Sequence, residues 1–322
     1  MAFTAFVTRA LPGAGLARLA SFAQVRLFSE DRPPTREELV EGLAGADGVL
    51  TMLTDRIDEP LLALAPRLRV VSNMAVGVDN LDLAALTGRG IPAGHTPGVL
   101  TEATADVAFA LLLAVARRVV EARDALLAGE WTTWRPSGFL GLELSGATLG
   151  IVGLGRIGEA VARRARGFGM HVLACSRTHR EAEGVSFVDL DELLCSSDVV
   201  SLHVALSEET HHLIGAAELS RMRRGALLVN TARGPVVDQR ALFEALASGH
   251  LGGAGLDVFE VEPVPLDEPL LGLPNCVAIP HLGSATEKSR AAMADLAVDN
   301  LLAGLRGEPL PHCANPEVYG PG

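Results

Sequence analysis

The chain has 322 residues, 48% of them apolar, which is enough for two domains with buried cores and excludes a disordered chain. Its 27 basic against 39 acidic side chains give a net charge of −12, which disfavours a broad nucleic-acid or anionic-membrane footprint, so any anionic ligand has to be captured locally. Four widely spaced cysteines, Cys175, Cys195, Cys276 and Cys313, form no metal-type pair and fit reduced thiols in a cytoplasmic protein.

Short elements alternate from the start. Phe3 to Thr8 is predicted as a strand, Gly13 to Phe22 as a helix and Val25 to Phe28 as a second strand. Residues 1–29 carry Arg9, Arg18 and Arg26 and no acid, as a transit peptide does, yet this regular rhythm argues for a fold that starts at residue 3. A strand at Gly48 to Leu53, a helix at Glu59 to Leu64, a strand at Leu68 to Ser72 and a helix at Leu81 to Thr87 continue it, so residues 1–99 read as a small α/β domain. Thr101 opens a long helix through Arg118, apolar nearly all round, which predicts packing between layers and a crossing from one domain to the other. The longest apolar run, Val107 to Ala116, has ten residues, about half a membrane span, so no membrane partner is expected.

Leu149 to Val152 is an apolar run suited to a buried strand, and Gly153, Gly155 and Gly158 follow in G-x-G-x-x-G spacing. In the helix beyond, Ile157, Ala160, Val161, Ala165 and Phe168 make one apolar stripe, with Arg163, Arg164 and Arg166 off it. A strand, a glycine turn and a helix in this order form a site for a dinucleotide pyrophosphate. Gly153 permits the sharp turn, Gly155 lets the backbone approach the phosphates, and Gly158 lets helix and strand pack closely. An acidic residue about 20 positions on usually accepts from the adenosine ribose. Here the strand His171 to Cys175 runs into Ser176-Arg177-Thr178-His179-Arg180, with no carboxylate before Glu181. A guanidinium and two hydroxyls suit a 2′-phosphate, which favours NADP(H) and leaves NAD(H) possible; the alternative is a solvated basic turn.

Strands are predicted at Val199 to Val204, Ala226 to Asn230, Gly255 to Phe259 and Val277 to Ile279, alternating with helices in the doubly wound parallel pattern. His211-His212 is expected to be an exposed loop pair. The tail from Ala285 is a further helix, expected to return to the first domain. Arg233, Glu262 and His281 each follow one of these strands, at the carboxyl edge where open α/β sheets bind ligands. Arg233 offers a planar cation whose fork matches a carboxylate, and His281 is of the side-chain type that most often transfers protons.

The order of motifs resembles the D-2-hydroxyacid dehydrogenases, nearest to the glyoxylate/hydroxypyruvate reductases among them. The resemblance runs from Phe3 to Val318. It rests on Asn73-Met-Ala-Val-Gly-Val-Asp-Asn-Leu-Asp82, Thr96-Pro-Gly-Val-Leu-Thr101, Val152-Gly-Leu-Gly-Arg-Ile-Gly158, Val229-Asn-Thr-Ala-Arg-Gly-Pro-Val-Val-Asp238, Leu256-Asp-Val-Phe-Glu-Val-Glu-Pro263 and Pro280-His-Leu-Gly-Ser-Ala-Thr286. Ala205 departs from a common proline and Met74 from a common aromatic. The resemblance implies an α/β fold of two doubly wound parallel-sheet domains. A Rossmann-type cofactor domain, residues 100–284, is inserted into a flavodoxin-like substrate domain, residues 1–99 and 285–322.

It also implies roles. Arg233 clamps the carboxylate and keto oxygen, His281 donates the proton, and Glu262 bonds to His281 and favours its imidazolium. Val76 and Gly77 bind the substrate carboxylate through backbone amides, with Leu53, Trp134 and Ser284 as further substrate contacts. Cofactor contacts fall to Thr104, Gly153, Gly155, Arg156, Ile157, Gly158, Ser176, Arg177, Thr178, Val204, Thr210, Thr231, Ala232, Asp257 and Gly283. Asp257 is expected at the nicotinamide carboxamide, with helix capping an equal alternative. Substrate contacts on one domain and cofactor contacts on the other imply a cleft that closes and excludes water. The partners implied are a small 2-keto or 2-hydroxy acid and a second copy of the chain, paired through the cofactor domains. Trp131, Trp134 and Phe139, concentrated in Leu126 to Leu144, support that pairing. Transcriptional co-repressors that keep this scaffold remain an alternative. A formate dehydrogenase-like enzyme is disfavoured, because a glutamine would stand in place of Glu262.

Overall fold

The structure, a computed structural model, describes residues 3–178 and 182–320. In chain order its elements begin β1 (Phe3–Val7), α1 (Gly15–Ala20), β2 (Ala23–Leu27), α2 (Arg36–Leu43), β3 (Gly48–Thr51), α3 (Glu59–Leu62), β4 (Val70–Asn73), α4 (Leu83–Gly88) and β5 (Ala93–Gly94). They continue with α5 (Thr101–Ala116), α6 (Val119–Leu127), β6 (Thr148–Val152), α7 (Arg156–Gly167), β7 (His171–Cys175), β8 (Val185–Phe187), α8 (Leu190–Ser196) and β9 (Val199–Leu202). The last are α9 (Ala216–Arg221), β10 (Leu227–Asn230), α10 (Gln239–Ala247), β11 (Gly253–Leu256), β12 (Cys276–Ala278) and α11 (Glu287–Arg306). The chain divides into two units, Met1–Leu100 with Ala285–Gly322, and Thr101–Ser284. No helix among the described residues is long and apolar enough to cross a membrane.

The first unit is a five-stranded parallel sheet in the order β2-β1-β3-β4-β5, the flavodoxin-like winding. Every residue of β3 and β4 is buried, as expected of parallel strands covered on both faces. Helix starts are set by local chemistry. Thr35 and Glu38 form a reciprocal capping box at α2, while Asp58 and Asp82 cap α3 and α4. The tail helix α11 lies on β3, β4 and β5, and Ser72 in β4 donates to the Ala297 carbonyl at 2.7 Å.

The second unit is a seven-stranded parallel sheet in the order β12-β11-β10-β9-β6-β7-β8. Winding runs outward in both directions from β6, so the switch point falls between β6 and β9, and the glycine turn after β6 opens there. The predicted long helix is in fact two. α5 stops at Ala116, Arg118 takes a left-handed φ of 53°, and α6 begins at Val119. Thr101, the first residue of α5, is also the first of this unit, and within it α5 packs on α7, β10, β11 and β12. Arg164 of α7 reaches back to Asp106 and Glu102 of α5, and Phe109 stacks on Phe168 at 5.3 Å.

Strand ends follow neighbours more than hydrophobicity. β9 stops at Leu202 rather than Val204 because its partner β6 ends at Val152, opposite Leu202, where the chain turns away. β11 spans Gly253–Leu256 rather than Gly255 to Phe259, since α5 presses on its glycines: a Cβ on Gly253 would lie 2.6 Å from Val115 Cγ1. The short edge strands β5 and β8 carry no sequence signal of their own.

Candidate active site

β6 leads directly into the glycine turn. Gly153 has a φ of 96°, a value open to glycine, and a Cβ there would sit 2.8 Å from the His203 carbonyl carbon. A Cβ on Gly158 would lie 2.3 Å from Gly153 O, so the first turn of α7 is pressed onto the loop itself. Gly155 differs, since its Cβ position has nothing within 4 Å. As the N-cap of α7 it supplies no side-chain acceptor, which leaves the amides of Arg156, Ile157 and Gly158 for an outside anion. An open cradle over Gly155, unused donors and a helix's positive end together fit a pyrophosphate. Across the switch point, the His203 amide donates to Val152 O at 2.8 Å. Burial pushes the His203 imidazole down to about 4, so it is neutral near pH 7; Nε2 bonds to Ser201 Oγ at 2.9 Å, and Nδ1 is buried without a partner.

Ser176, Arg177 and Thr178 follow β7, while His179 and Arg180 lie outside the described residues. Arg177 Nη1 donates to Glu209 Oε2 at 3.0 Å. Glu209 stands in the loop after β9, between Val204 and Thr210. That loop is folded by Thr210, whose hydroxyl donates to Ala205 O at 2.7 Å and accepts from Ser207 N at 2.8 Å.

Arg233 closes the loop after β10. Buried Asn230 holds that loop, donating to Arg233 O at 2.9 Å and accepting from Ala232 N at 3.0 Å. Thr231 and Ala232 are buried beside it, the Thr231 hydroxyl without a partner. Gly234 approaches the next loop so closely that a Cβ would fall 1.8 Å from the Phe259 carbonyl carbon. This contact sets the Arg233 loop against the one carrying Glu262. Glu262 accepts from Phe259 N at 2.9 Å through Oε1 and from His281 Nδ1 at 2.6 Å through Oε2. Burial alone would raise its pKa; the His281 bond and charge, the Phe259 amide and the Arg233 charge outweigh that and hold the carboxyl below the usual range. With Nδ1 committed, Nε2 makes no hydrogen bond in the described structure and is the ring position that can serve a substrate.

His281 itself has a φ of 52°, uncommon for a residue with a Cβ, and Asp257 holds it there. The Asp257 carbonyl accepts from His281 N at 3.0 Å, and its carboxylate accepts from Leu282 N at 2.5 Å and Gly283 N at 2.9 Å. Asp257 therefore anchors the His281 loop and caps no helix. Burial pushes its carboxyl up, against the pull of those amides and of the His281 charge. Thr104 of α5, expected near the phosphates, is buried with its hydroxyl donating to Gly283 O at 3.0 Å. Both polar backbone groups of Gly283 are thus engaged, and Ser284 follows half-buried.

In the first unit, Leu53 sits in the turn after β3, and Val76 and Gly77 in the loop after β4. The Val76 carbonyl bonds to the His95 ring at 3.0 Å and the Gly77 carbonyl accepts from Asn73 at 3.1 Å, while neither residue's amide has a bond in the described structure. The loop is braced by its carbonyls with its donors spare, the arrangement a carboxylate needs.

Residues 109–283 match the family described as D-isomer specific 2-hydroxyacid dehydrogenase, NAD binding domain. The chain belongs to that family. A glyoxylate reductase of Korarchaeum cryptofilum is 50% identical over 318 residues, spanning 97% of this chain and 96% of that protein. The crystal structure of TT0316 protein from Thermus thermophilus resembles the chain with a TM-score of 0.92 at 50% identity, covering 97% and 100% of the two. An NADPH-dependent glyoxylate/hydroxypyruvate reductase from Sinorhizobium meliloti, solved with NADP and malonate, has a TM-score of 0.86 at 33% identity over 98% of each chain. Members of this family are NAD(P)-dependent oxidoreductases, and the chain is an enzyme of that class.

Several supports of this dehydrogenase site carried no sequence signal. Asn230, His95 and Asn73 act through loop carbonyls and amides, so only the folded loops reveal them. His212, exposed as expected with His211, bonds to Glu260 at 2.8 Å, in the loop that carries Glu262. The segment after α6 is different in kind. From Leu126 to Gly141 every residue is exposed, with Trp131 at 66% and Trp134 at 77%, before the chain is pinned again by Leu142 N to Ala116 O at 2.8 Å.

Proposed function

We propose that the chain reduces a two- or three-carbon 2-keto acid, glyoxylate or hydroxypyruvate, to the D-2-hydroxy acid, with NADP(H) preferred and NAD(H) usable. The observation that carries this reading is the 2.6 Å His281–Glu262 bond at the carboxyl edge of the sheet, with Arg233 on the adjoining loop. Gly153, Gly155, Arg156, Ile157 and Gly158 hold the pyrophosphate, and Ser176, Arg177 and Thr178 the 2′-phosphate. The bound nicotinamide supplies a hydride to the keto carbon. Arg233 orients the carboxylate and keto oxygen. His281 gives the Nε2 proton to the keto oxygen, and Glu262 stabilises the imidazolium that donates it. We place the enzyme in the cytoplasm. Turnover of a 2-keto acid panel, followed at 340 nm with NADPH and NADH, tests the reading. Dinucleotide binding with no turnover of any member favours a co-repressor-like role instead.

Cofactor choice is tested at the end of β7. Arg177→Asp replaces the phosphate's cation with a like charge, so kcat/KM falls at least tenfold more for NADPH than for NADH. Equal losses with the two cofactors contradict the assignment.

We infer a homodimer paired through the cofactor units, with Trp134 of one copy forming a wall of the other's substrate site. The exposed arm carrying Trp131 and Trp134 supports this, because exposed aromatic clusters mark interfaces. Trp134→Ala is expected to relax selectivity, with hydroxypyruvate losing more than bulkier 2-keto acids. Light scattering should give twice the chain mass for the wild type; a monomer at micromolar concentration removes the dimer, and unchanged selectivity in the variant removes the wall.

A further inference from the structure

The cofactor reading leaves Glu209 unexplained. Its carboxylate meets Arg177 at 3.0 Å although 32 residues separate them. Arg177 follows β7 and Glu209 follows β9, the two strands that flank β6 in the sheet. The pair therefore links the loops on either side of the glycine turn. An adenosine ribose runs from a pyrophosphate on that turn toward the end of β7, beside this pair. The position is built, since Thr210 closes the Glu209 loop through Ala205 and Ser207. The link is also soft. Both side chains are mostly exposed, 86% and 74%, and an ion pair of that kind holds weakly enough to exchange partners.

We propose that Glu209 sets the balance between the two dinucleotides, supplying from the loop after β9 the carboxylate that is missing after β7. This rests on the assignment of Arg177 to the 2′-phosphate. For NAD(H), the Glu209 carboxylate accepts a hydrogen bond from the ribose 2′-hydroxyl, and Arg177 stays paired and steadies it. For NADP(H), the phosphate takes Arg177 from Glu209 and then faces a like charge at close range. One residue thus favours the unphosphorylated cofactor and opposes the phosphorylated one. The chain accepts both because a glutamate and an arginine share the site.

The test is equilibrium binding of NADP⁺ and NAD⁺ by calorimetry, with the full-length protein, its thermal midpoint recorded for each variant. Glu209→Gln keeps the shape and removes the charge. NADP⁺ is expected to bind three- to tenfold tighter and NAD⁺ at least threefold weaker, at an unchanged midpoint. Glu209→Ala, which removes the acceptor as well, should weaken NAD⁺ further. A merely structural role for Glu209 would move both cofactors in one direction. Parallel shifts, or an unchanged NADP⁺ to NAD⁺ ratio in Glu209→Gln, overturn the proposal. Arg177→Ala reports separately on the premise: undiminished NADP⁺ affinity there removes the 2′-phosphate assignment, while the NAD⁺ response of Glu209→Gln still decides whether Glu209 meets the ribose.

Discussion

Replacing His281 with alanine is expected to lower kcat for 2-keto acid reduction at least about 10²-fold while leaving dinucleotide affinity unchanged. The magnitude follows from losing a positioned proton donor. The selectivity follows from geometry, since the His281 loop and the glycine turn belong to different strand ends of the sheet. Glu262→Gln is the companion test. Against the pull of burial, the His281 bond and charge, the Phe259 amide and the Arg233 charge hold the Glu262 carboxyl below the usual range, so at neutral pH it is the charged partner that favours the imidazolium. Reduction needs a proton on the ring, so removing the Glu262 charge should lower kcat at neutral pH while leaving dinucleotide affinity unchanged. Stopped-flow single turnovers at neutral pH read both effects. Turnover near the wild-type level in His281→Ala ends the proton-donor assignment.

Two glycine substitutions only three residues apart should fail in opposite ways. Gly155→Ala places a methyl where nothing of the protein lies within 4 Å, so the fold should be kept to within about 0.5 kcal/mol. The methyl instead occupies the approach of a phosphate to the helix amides, and dinucleotide affinity should fall tenfold or more, roughly 1.4 kcal/mol. Gly158→Ala drives a Cβ to 2.3 Å from the Gly153 carbonyl, a backbone atom that cannot swing aside. The expected cost is about 1–3 kcal/mol of stability, with binding lost as the turn distorts. Thermal melts and fluorescence titration with NADPH separate the cases. If Gly155→Ala binds the dinucleotide like the wild type, the pyrophosphate does not rest on this turn.

The sequence by itself determined the layers of the fold and the chemistry at its strand ends. Strands of parallel sheets are buried on both faces, so Leu149 to Val152 shows as an apolar run and Val199 to Leu202 as one broken only by Ser201, and amphipathic helices such as α7 betray themselves by period. Gly153, Gly155 and Gly158 were legible because turn geometry restricts residue type locally. Arg233, Glu262 and His281 were legible as chemistry following strands, and as partners only through the resemblance to a family.

Tertiary structure decided what periodicity cannot encode. Periodicity reports whether a position is buried, not which distant backbone it meets. β9 ends where β6 lets it, and the long apolar helix breaks at Arg118 because a single residue turns left-handed. The Arg233 and Glu262 loops meet because Gly234 lacks a Cβ against Phe259. Asp257 proved to be the anchor of the His281 loop, spending its carboxylate on the Leu282 and Gly283 amides 25 and 26 positions away. Glu209, a plain surface acid in the sequence, acquires meaning only because parallel winding places the ends of β7 and β9 on either side of β6.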